Sequence, residues 1–338
     1  MKERIKVVAG ANEVQWLYSQ DWVYHDYGNC KRHLQIIFPY KDGMKNEEKY
    51  PLILFIPGSA WHKQEMYNDI PQYATLAKRG YVAGNPFHLT EEVCRRLKEC
   101  GCRKYQLSLD GLKETHDGIR QQPGSYDATM AAIPLLHNAG IDVAIMTTVS
   151  KWNVQDIPLL VDEVVKNKAD IFAFARYCPS KADRDVCCSP EEYRDMMEQC
   201  WQKFQKYEAE GCETTFNLKG HLWTLFLYEK GIFDPKSYPD DEYVYDGCNC
   251  GNCYLTILSD GAVYACRRME SKVGNALNDD LYDLFTGAEF DKYRIYENFE
   301  KCSKCELLRF CRGCPAVAAG YHGNMYAPDP ECWKVIEE

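Results

Sequence analysis

The chain has 338 residues, of which 46% are hydrophobic and 13% aromatic, and its formal net charge is −10. This composition excludes a disordered chain, and an acidic balance without a basic run disfavours nucleic acid as a partner. No apolar stretch approaches the roughly 20 residues of a membrane-spanning helix, and the start lacks the apolar core of a secretory signal. We therefore expect a cytoplasmic protein without a membrane partner, in which eighteen cysteines favour metal binding over disulfides.

The first predicted elements lie within residues 1–83. Their pattern predicts two strands and a helix, at 33–40, 51–56 and 73–79. With the loop at 57–61, this run resembles the amino-terminal part of an α/β-hydrolase of the esterase type, in which such a loop forms part of an oxyanion hole. No Gly-x-Ser-x-Gly motif follows, so no nucleophile is assigned, and Ser59 is interpreted as a loop residue.

Strand and helix patterns alternate through residues 105–176. Strands are predicted at 105–110, 143–150 and 171–176, and helices at 126–138, 155–167 and, further on, 190–210. A strand–helix–strand order requires parallel strands, because each helix returns the chain to the same edge of the sheet. The predicted fold class is therefore α/β, with ligands expected at the carboxyl ends of the strands.

A β-hairpin is predicted in the last third of the chain, where half of the cysteines lie. Residues rich in β-forming side chains flank Asp260-Gly261, a dipeptide that favours a two-residue turn. This register pairs Leu255 with Cys266 and places Cys253 on the same face as Cys266. Two thiols on one face favour metal ligation over the burial of small apolar side chains.

Four more cysteines lie within thirteen residues, at Cys302, Cys305, Cys311 and Cys314. The five-residue gap between the two Cys-x2-Cys pairs is shorter than the roughly 15 to 20 residues of a zinc ribbon. Iron–sulfur ligation is therefore favoured over a single zinc site, and Cys332 is available to complete a set of four.

The order of Cys248, Gly261, Cys266, the 302–314 group and Cys332 resembles the SPASM extension of radical S-adenosylmethionine (SAM) enzymes, a module that binds two auxiliary [4Fe-4S] clusters in that family. The resemblance implies one cluster held by Cys248, Cys253, Cys266 and Cys314, and another held by Cys302, Cys305, Cys311 and Cys332. Two features depart from the family pattern. Cys250 competes with Cys248 for the first position, and two residues rather than the usual three separate Cys311 from Cys314.

Residues 105–176 resemble the second half of the radical SAM partial barrel. The resemblance implies that SAM lies near polar residues at the strand ends, namely Ser108, Asp110, Arg120, Thr148, Asn153 and Arg176. Hydroxyl and guanidinium groups at such an edge suit a carboxylate ligand. Taken singly, each residue is also compatible with an ordinary strand-end cap or turn.

The loop that supports radical chemistry in this family is missing. That chemistry requires a Cys-x3-Cys-x2-Cys segment, whose three thiolates leave one iron open for SAM, and this spacing occurs nowhere in the chain. The sequence therefore predicts an incomplete barrel without its first half, and no reductive cleavage of SAM. No catalytic residue is assigned, and whether the chain is an enzyme stays open.

The patterns divide the chain into a hydrolase-like fragment at 1–83, a partial barrel at 84–240 and an auxiliary iron–sulfur module at 241–338. Separate domains are normally joined by exposed, polar linkers, and none is present near residue 83. An abrupt junction between two incomplete folds indicates a gene fusion with deletion or an assembly artefact.

The resemblance predicts a chain derived from a radical SAM/SPASM peptide maturase. A ribosomal peptide is the implied substrate, and an electron donor such as flavodoxin or ferredoxin is an implied partner. Arg267 follows Cys266 where sulfatase-maturing relatives carry an acid, which disfavours a sulfatase substrate. Two alternatives stay open: a non-catalytic iron–sulfur or structural-zinc module that binds peptide, and a serine esterase remnant, which the missing motif disfavours.

Overall fold

A computed structural model describes residues 3–9, 14–26, 31–40, 81–239, 243–252, 254–258 and 260–336, the first three ranges by their backbone. These three ranges form an antiparallel sheet of β1 (Glu3–Ala9), β2 (Val14–Asp26) and β3 (Lys31–Tyr40). The strand predicted at 33–40 is confirmed by β3. The strand predicted at 51–56, the loop at 57–61 with Ser59, and the helix at 73–79 lie outside the described residues.

Five parallel strands form the central sheet in chain order. They are β4 (Tyr81–Ala83), β5 (Lys104–Ser108), β6 (Asp142–Val149), β7 (Ile171–Arg176) and β8 (Thr215–Asn217). Parallel neighbours in chain order are the product of successive strand–helix–strand units. The α/β class and the three predicted strands are therefore confirmed, with small differences at their ends.

Six helices connect or follow these strands: α1 (Glu91–Glu99), α2 (Lys113–Arg120), α3 (Ser125–Asn138), α4 (Ile157–Lys166), α5 (Pro190–Ala209) and α6 (Leu222–Glu229). The helices predicted at 126–138, 155–167 and 190–210 are confirmed by α3, α4 and α5. A capping box starts α5, because Ser189 accepts from the Glu192 N–H while the Glu192 carboxylate accepts from the Ser189 N–H. Leu107, Ile145 and Phe172 are fully buried between the sheet and these helices.

A smaller antiparallel sheet lies in the cysteine-rich third of the chain. It consists of β9 (Thr256–Ile257), β10 (Ala262–Tyr264) and β11 (Lys272–Asn275), followed by α7 (Leu281–Thr286), α8 (Ala288–Asp291) and α9 (Pro315–His322). Short 3₁₀ turns lie at Pro86–His88, Arg184–Val186, Pro235–Ser237, Tyr296–Asn298 and Cys302–Lys304.

The predicted hairpin is present, but its predicted register is wrong by one residue. Ile257 lies opposite Val263, where the two-residue turn would have placed Leu258. The Leu258 N–H donates to the Ala262 carbonyl at 2.8 Å, so the turn contains three residues. Gly261, with a φ of +82°, supplies the left-handed conformation that closes such a turn.

The predicted junction after residue 83 falls at the end of a strand of the main sheet. Residues 81–83 form β4, which pairs in parallel with β5, and Val82 is 1% exposed. The Gly84 N–H continues the pairing by donating to the Gln106 carbonyl at 3.2 Å. The structure thus joins β4 to the sheet that follows it.

Across the described ranges, no helix combines the length and the apolar character needed to cross a membrane.

Candidate metal centre and the adjoining strand edge

Six thiols lie in one apolar cluster, one of them Cys187. We call the other five, which come from four segments, the first thiol group: Cys178, Cys248, Cys250, Cys266 and Cys314. Cys178 is half-buried and the other four are buried. Val263 and Val317 pack in the same cluster, which joins β10 to α9. Three of the four ligands implied for one cluster are therefore brought together, and the fourth, Cys253, lies outside the described residues.

Hydrogen bonds within this group favour thiolates at two of its positions. A hydrogen bond from Cys250 holds the pKa of Cys266 below its ordinary value, and a hydrogen bond from Cys178 does the same for Cys314. In return, the same hydrogen bonds raise the pKa values of Cys250 and Cys178. A thiolate is the form of cysteine that ligates metal.

Cys266 receives two more donors. The Arg268 N–H points to its sulfur at 3.5 Å, and the Tyr254 hydroxyl points to it at 3.6 Å. Tyr254, and not the predicted Leu255, is therefore the hairpin residue beside Cys266. Cys253 itself lies outside the described residues, so the face that it shares with Cys266 stays a prediction.

A second thiol group lines one pocket and contains all four cysteines implied for the other cluster: Cys302, Cys305, Cys311 and Cys332. Leu225 of α6 and Leu307 complete the apolar part of the wall. The Lys301 ammonium donates to the Cys332 carbonyl at 2.9 Å, which ties the end of the chain to the 3₁₀ turn. Burial raises the pKa of Cys302 to about 12, so metal binding there must release a proton.

The short spacing between Cys311 and Cys314 is accommodated by an unusual backbone. Arg312 and Gly313 both lie in the left-handed region, with φ of +61° and +59°. Two consecutive left-handed residues turn the chain sharply, so that Cys311 lines the second pocket while Cys314 joins the first thiol group. The Arg312 guanidinium fixes this turn by donating to the Cys248 carbonyl at 2.7 Å.

Zinc ions and iron–sulfur clusters require different spacings of their thiolate ligands. Among the described residues, no three thiol, imidazole or carboxylate groups are placed to share one metal ion. Zinc requires four ligands around one atom, whereas a [4Fe-4S] cluster takes one thiolate on each of four irons and so holds them farther apart.

The polar residues predicted near SAM form a network at the carboxyl edge of β5 and β6. Asp110 forms an ion pair with Arg120 and accepts from the Thr148 N–H at 3.0 Å. The Asn153 amide donates to the Asp110 carbonyl at 2.7 Å and to the Thr148 carbonyl at 2.8 Å. Ser108 ends β5 beside them. Five of the six residues are thus brought to one edge, where parallel sheets bind ligands.

Arg176, the sixth residue, lies at the end of β7 in a buried ion pair. Its Nη1 contacts both oxygens of Asp329, at 2.7 and 2.8 Å, and one oxygen of Glu331 at 3.3 Å. Asp329 also accepts from the Cys314 N–H at 2.8 Å, which connects the barrel to the first thiol group. The sequence analysis singled out neither carboxylate. The signal that could have found them is the presence of two acids just before Cys332.

His116 is a further buried residue that sequence reasoning missed. Its Nδ1 accepts from the Asp110 N–H at 2.9 Å, which leaves the proton on Nε2 to donate to the Ser125 hydroxyl at 3.1 Å. Burial lowers the pKa of His116 to about 4. The neutral ring thus holds the backbone at Asp110, the acid that pairs with Arg120.

We expect His116 to make the protein less stable in mild acid. Its folded pKa is depressed, so the unfolded chain binds the proton first, and stability falls as pH drops below about 6.5. Between pH 7 and pH 5 this contribution is about 2 kcal/mol. Urea unfolding at both pH values should show a loss for the wild-type protein that is about 2 kcal/mol larger than for His116→Gln. Equal losses would contradict this role.

Comparison with known proteins adds to this geometry. The Radical SAM superfamily model matches residues 80–164, and the SPASM iron–sulfur cluster-binding domain model matches residues 248–315. The chain contains a radical SAM domain and a SPASM domain. The radical SAM match includes the network at the edge of β5 and β6, and the SPASM match includes every predicted cysteine ligand except Cys332.

Several proteins with longer chains are similar to this one. Fe-coproporphyrin III synthase of Methanosarcina barkeri is 27% identical over 315 residues, covering 85% of this chain and 77% of that protein. Mycofactocin maturase MftC of Mycolicibacterium smegmatis is 27% identical over 273 residues, covering 78% and 66%. SuiB of Streptococcus suis, solved with SAM and also with its precursor peptide SuiA, has a TM-score of 0.55 at 20% identity, over 75% of this chain and 59% of SuiB.

The radical SAM and SPASM domains imply [4Fe-4S] clusters and SAM as cofactors. The first thiol group fits such a cluster, because it offers soft, partly deprotonated ligands in an apolar surrounding, and the second offers four thiols around one pocket. For the SAM-bound cluster the chain has no Cys-x3-Cys-x2-Cys loop to offer. The first of the two family matches begins at residue 80, and the resemblance of residues 1–83 to an α/β-hydrolase is not confirmed.

Proposed function

We propose that the chain derives from a radical SAM/SPASM peptide maturase, that its SPASM domain holds two auxiliary [4Fe-4S] clusters, and that it does not cleave SAM as it stands. The observation that supports the two clusters is the separation of the thiols into two groups by the Arg312-Gly313 turn. The proposed ligands are Cys248, Cys253, Cys266 and Cys314 for one cluster, and Cys302, Cys305, Cys311 and Cys332 for the other.

Iron and labile-sulfide analysis of the anaerobically purified chain tests this assignment. Two [4Fe-4S] clusters require about eight iron and about eight sulfide per chain. One or two zinc ions without sulfide would instead support the structural-zinc module that binds peptide without catalysis.

A peptide substrate is the first candidate, and it rests on the relatives. MftC is named as a maturase, and SuiB has been solved with a precursor peptide. A flavodoxin or ferredoxin would be the electron donor of such an enzyme. We propose that this chain also binds a peptide. We further propose that its barrel portion extends to about residue 240 and that its SPASM portion begins at about residue 241.

A carboxylate-bearing tetrapyrrole is the second candidate, and a cluster of cations favours it. Lys219 follows β8, and its pKa is lowered by desolvation and by the nearby Arg267 and Arg268. Within the described parts of the chain, no carboxylate forms an ion pair with these three cations. Arg268 also donates to the Arg176 carbonyl at the end of β7, and like charges gathered at the carboxyl edge of a sheet favour an anionic ligand. The similarity to Fe-coproporphyrin III synthase makes a tetrapyrrole carboxylate the candidate anion.

Binding of coproporphyrin and of its methyl ester distinguishes the two candidates. If the cations hold carboxylates, the acid should quench tryptophan fluorescence with an affinity about tenfold higher than the ester. The Lys219→Gln/Arg267→Gln double variant should lose that preference, whereas Lys206→Gln/Lys236→Gln, on distant surfaces, should keep it. Equal binding of acid and ester by the wild-type chain would contradict the tetrapyrrole candidate.

We expect no reductive cleavage of SAM by this chain. Reduction of the sulfonium requires a cluster with an open iron, and the three thiolates that leave one open are missing from the sequence. Incubation with SAM and dithionite should yield no more 5′-deoxyadenosine than a control without protein. Formation of 5′-deoxyadenosine above that level by the reconstituted chain would show that this part of the proposal is wrong.

A further inference from the structure

Trp152 lies in the turn that follows β6, at the edge of the sheet where the polar network is found. Its side chain is 63% exposed, although tryptophan is on average a highly buried residue. The other three tryptophans whose side chains the structure describes, Trp201, Trp223 and Trp333, all pack in or against the large apolar core. Trp152 belongs to neither apolar cluster of the described residues. Its indole is therefore available to a ligand.

The backbone on both sides of Trp152 is held by hydrogen bonds. The Lys151 N–H donates to the Val186 carbonyl at 2.8 Å. On the other side, the Asn153 amide donates to the Asp110 carbonyl at 2.7 Å and so ties the turn to the end of β5. The exposed indole is thus carried by a fixed backbone, which lowers the cost of ordering it when a ligand binds.

A cation lies at the same edge of the sheet. Arg268 donates to the Arg176 carbonyl at the end of β7, and Arg176 pairs with Val149 at the end of β6. Trp152 follows Val149 by three residues, so the paired ends of these two strands carry a guanidinium on one side and an indole on the other. An exposed aromatic face near cations suits a planar ligand that bears carboxylates.

We propose that Trp152 is a specificity-determining residue that stacks on the planar ring of a tetrapyrrole whose carboxylates pair with Lys219, Arg267 and Arg268. This inference rests on the proposed function, since it deepens the tetrapyrrole candidate. Contact with the face of an indole requires a flat ring, whereas ion pairs with the cations require only carboxylates. The two parts of the site therefore select two different features of one ligand.

Anaerobic calorimetric titration of the full chain with coproporphyrin and with coproporphyrinogen tests this role. The two compounds carry the same carboxylates, but four saturated bridges bend the ring of the porphyrinogen. The wild-type chain should bind the planar porphyrin about tenfold more tightly. Trp152→Ala should lose most of this preference, and Trp152→Phe, which keeps a smaller aromatic face, should retain part of it. Both variants should still bind coproporphyrin more tightly than its methyl ester, because the three cations are unchanged.

Tyr282→Ala is the matched control, because Tyr282 is an aromatic residue of α7 whose side chain is 75% exposed. It should keep the wild-type preference for the planar ring. Urea unfolding of Trp152→Ala should coincide with that of the wild type, since the indole is not part of either apolar cluster. An unchanged preference in Trp152→Ala, or an equal loss of affinity for both compounds, would overturn the proposal. If the wild-type chain binds neither compound, the tetrapyrrole candidate itself fails and the inference fails with it, which differs from a wild type that binds both equally and so refutes the stacking alone.

Discussion

Replacing Cys305 by alanine should remove about half of the iron from the purified chain. Cys305 is one of four cysteines that line the second pocket, and in the proposed assignment it ligates the cluster there. A cluster that loses one of its four thiolates has one iron without a protein ligand, so the protein holds it less firmly. The unfolded chain has no preformed site that could hold the cluster instead. Iron and labile sulfide should fall together, which colorimetric analysis of both measures directly.

Replacing Cys266 by alanine should remove the other half, because Cys266 belongs to the first thiol group whereas Cys305 lines the second pocket. The double variant Cys266→Ala/Cys305→Ala should contain almost no iron. Stability of the C-terminal third should fall in each single variant, since metal binding and folding are coupled there.

Two cysteine variants serve as controls of different severity. Cys200→Ala alters a buried thiol of the large core cluster that also contains Cys311, and Cys187→Ala alters a thiol that packs in the same apolar cluster as the first group. Both should retain full iron, so a loss in Cys187→Ala would indicate that packing alone disturbs the site. If Cys266→Ala and Cys305→Ala both retain full iron, or if the metal is zinc, the assignment of two auxiliary clusters is wrong.

Local patterns predicted the parts of the fold that local physics determines. The strands at 143–150 and 171–176 are apolar runs bounded by helix signals, and burial on both faces of a parallel sheet requires such runs. The helix at 190–210 was predicted from its spacing, and its capping box begins at Ser189 as the chain enters α5. Interactions of this kind extend over a few residues, so a single sequence is enough to find them.

The hairpin register could not be obtained in the same way. Asp260-Gly261 favours a two-residue turn, but the left-handed Gly261 here closes a three-residue turn, and both are compatible with glycine. The two turns differ by one residue in register, and such a shift moves every side chain of one strand to the opposite face. The three-residue turn explains why Tyr254 lies beside Cys266, where the sequence predicted Leu255.

The composition of the first thiol group depends on contacts between distant segments. Cys178 and Cys314 are 136 positions apart in the sequence, and their contact follows from the packing of α9 on the end of β7. No spacing rule covers such a pair. The cysteines grouped within residues 302–314 were found because their spacing itself indicates ligation.

Replacing Arg176 by methionine should destabilise the protein by about 3 to 5 kcal/mol. The guanidinium is buried between Asp329 and Glu331, and its removal leaves two carboxylates without a cation in an apolar interior. The cost of a broken buried pair comes from this stranded charge rather than from the lost attraction. Urea unfolding of wild type and variant at equal iron content, followed by circular dichroism, measures the difference.

Arg194→Met is the matched control, because it makes the same substitution in an exposed pair with Glu229, where the Arg194 side chain is 53% exposed. An exposed pair contributes at most about 1 kcal/mol, so this variant should unfold close to the wild type. The comparison also decides what Arg176 does. If it contacted SAM, as the resemblance implies, Arg176→Met would weaken SAM binding and leave the unfolding of the SAM-free protein within about 1 kcal/mol of wild type. A large loss without SAM would instead show that Arg176 holds the end of β7 to the segment that follows Cys314.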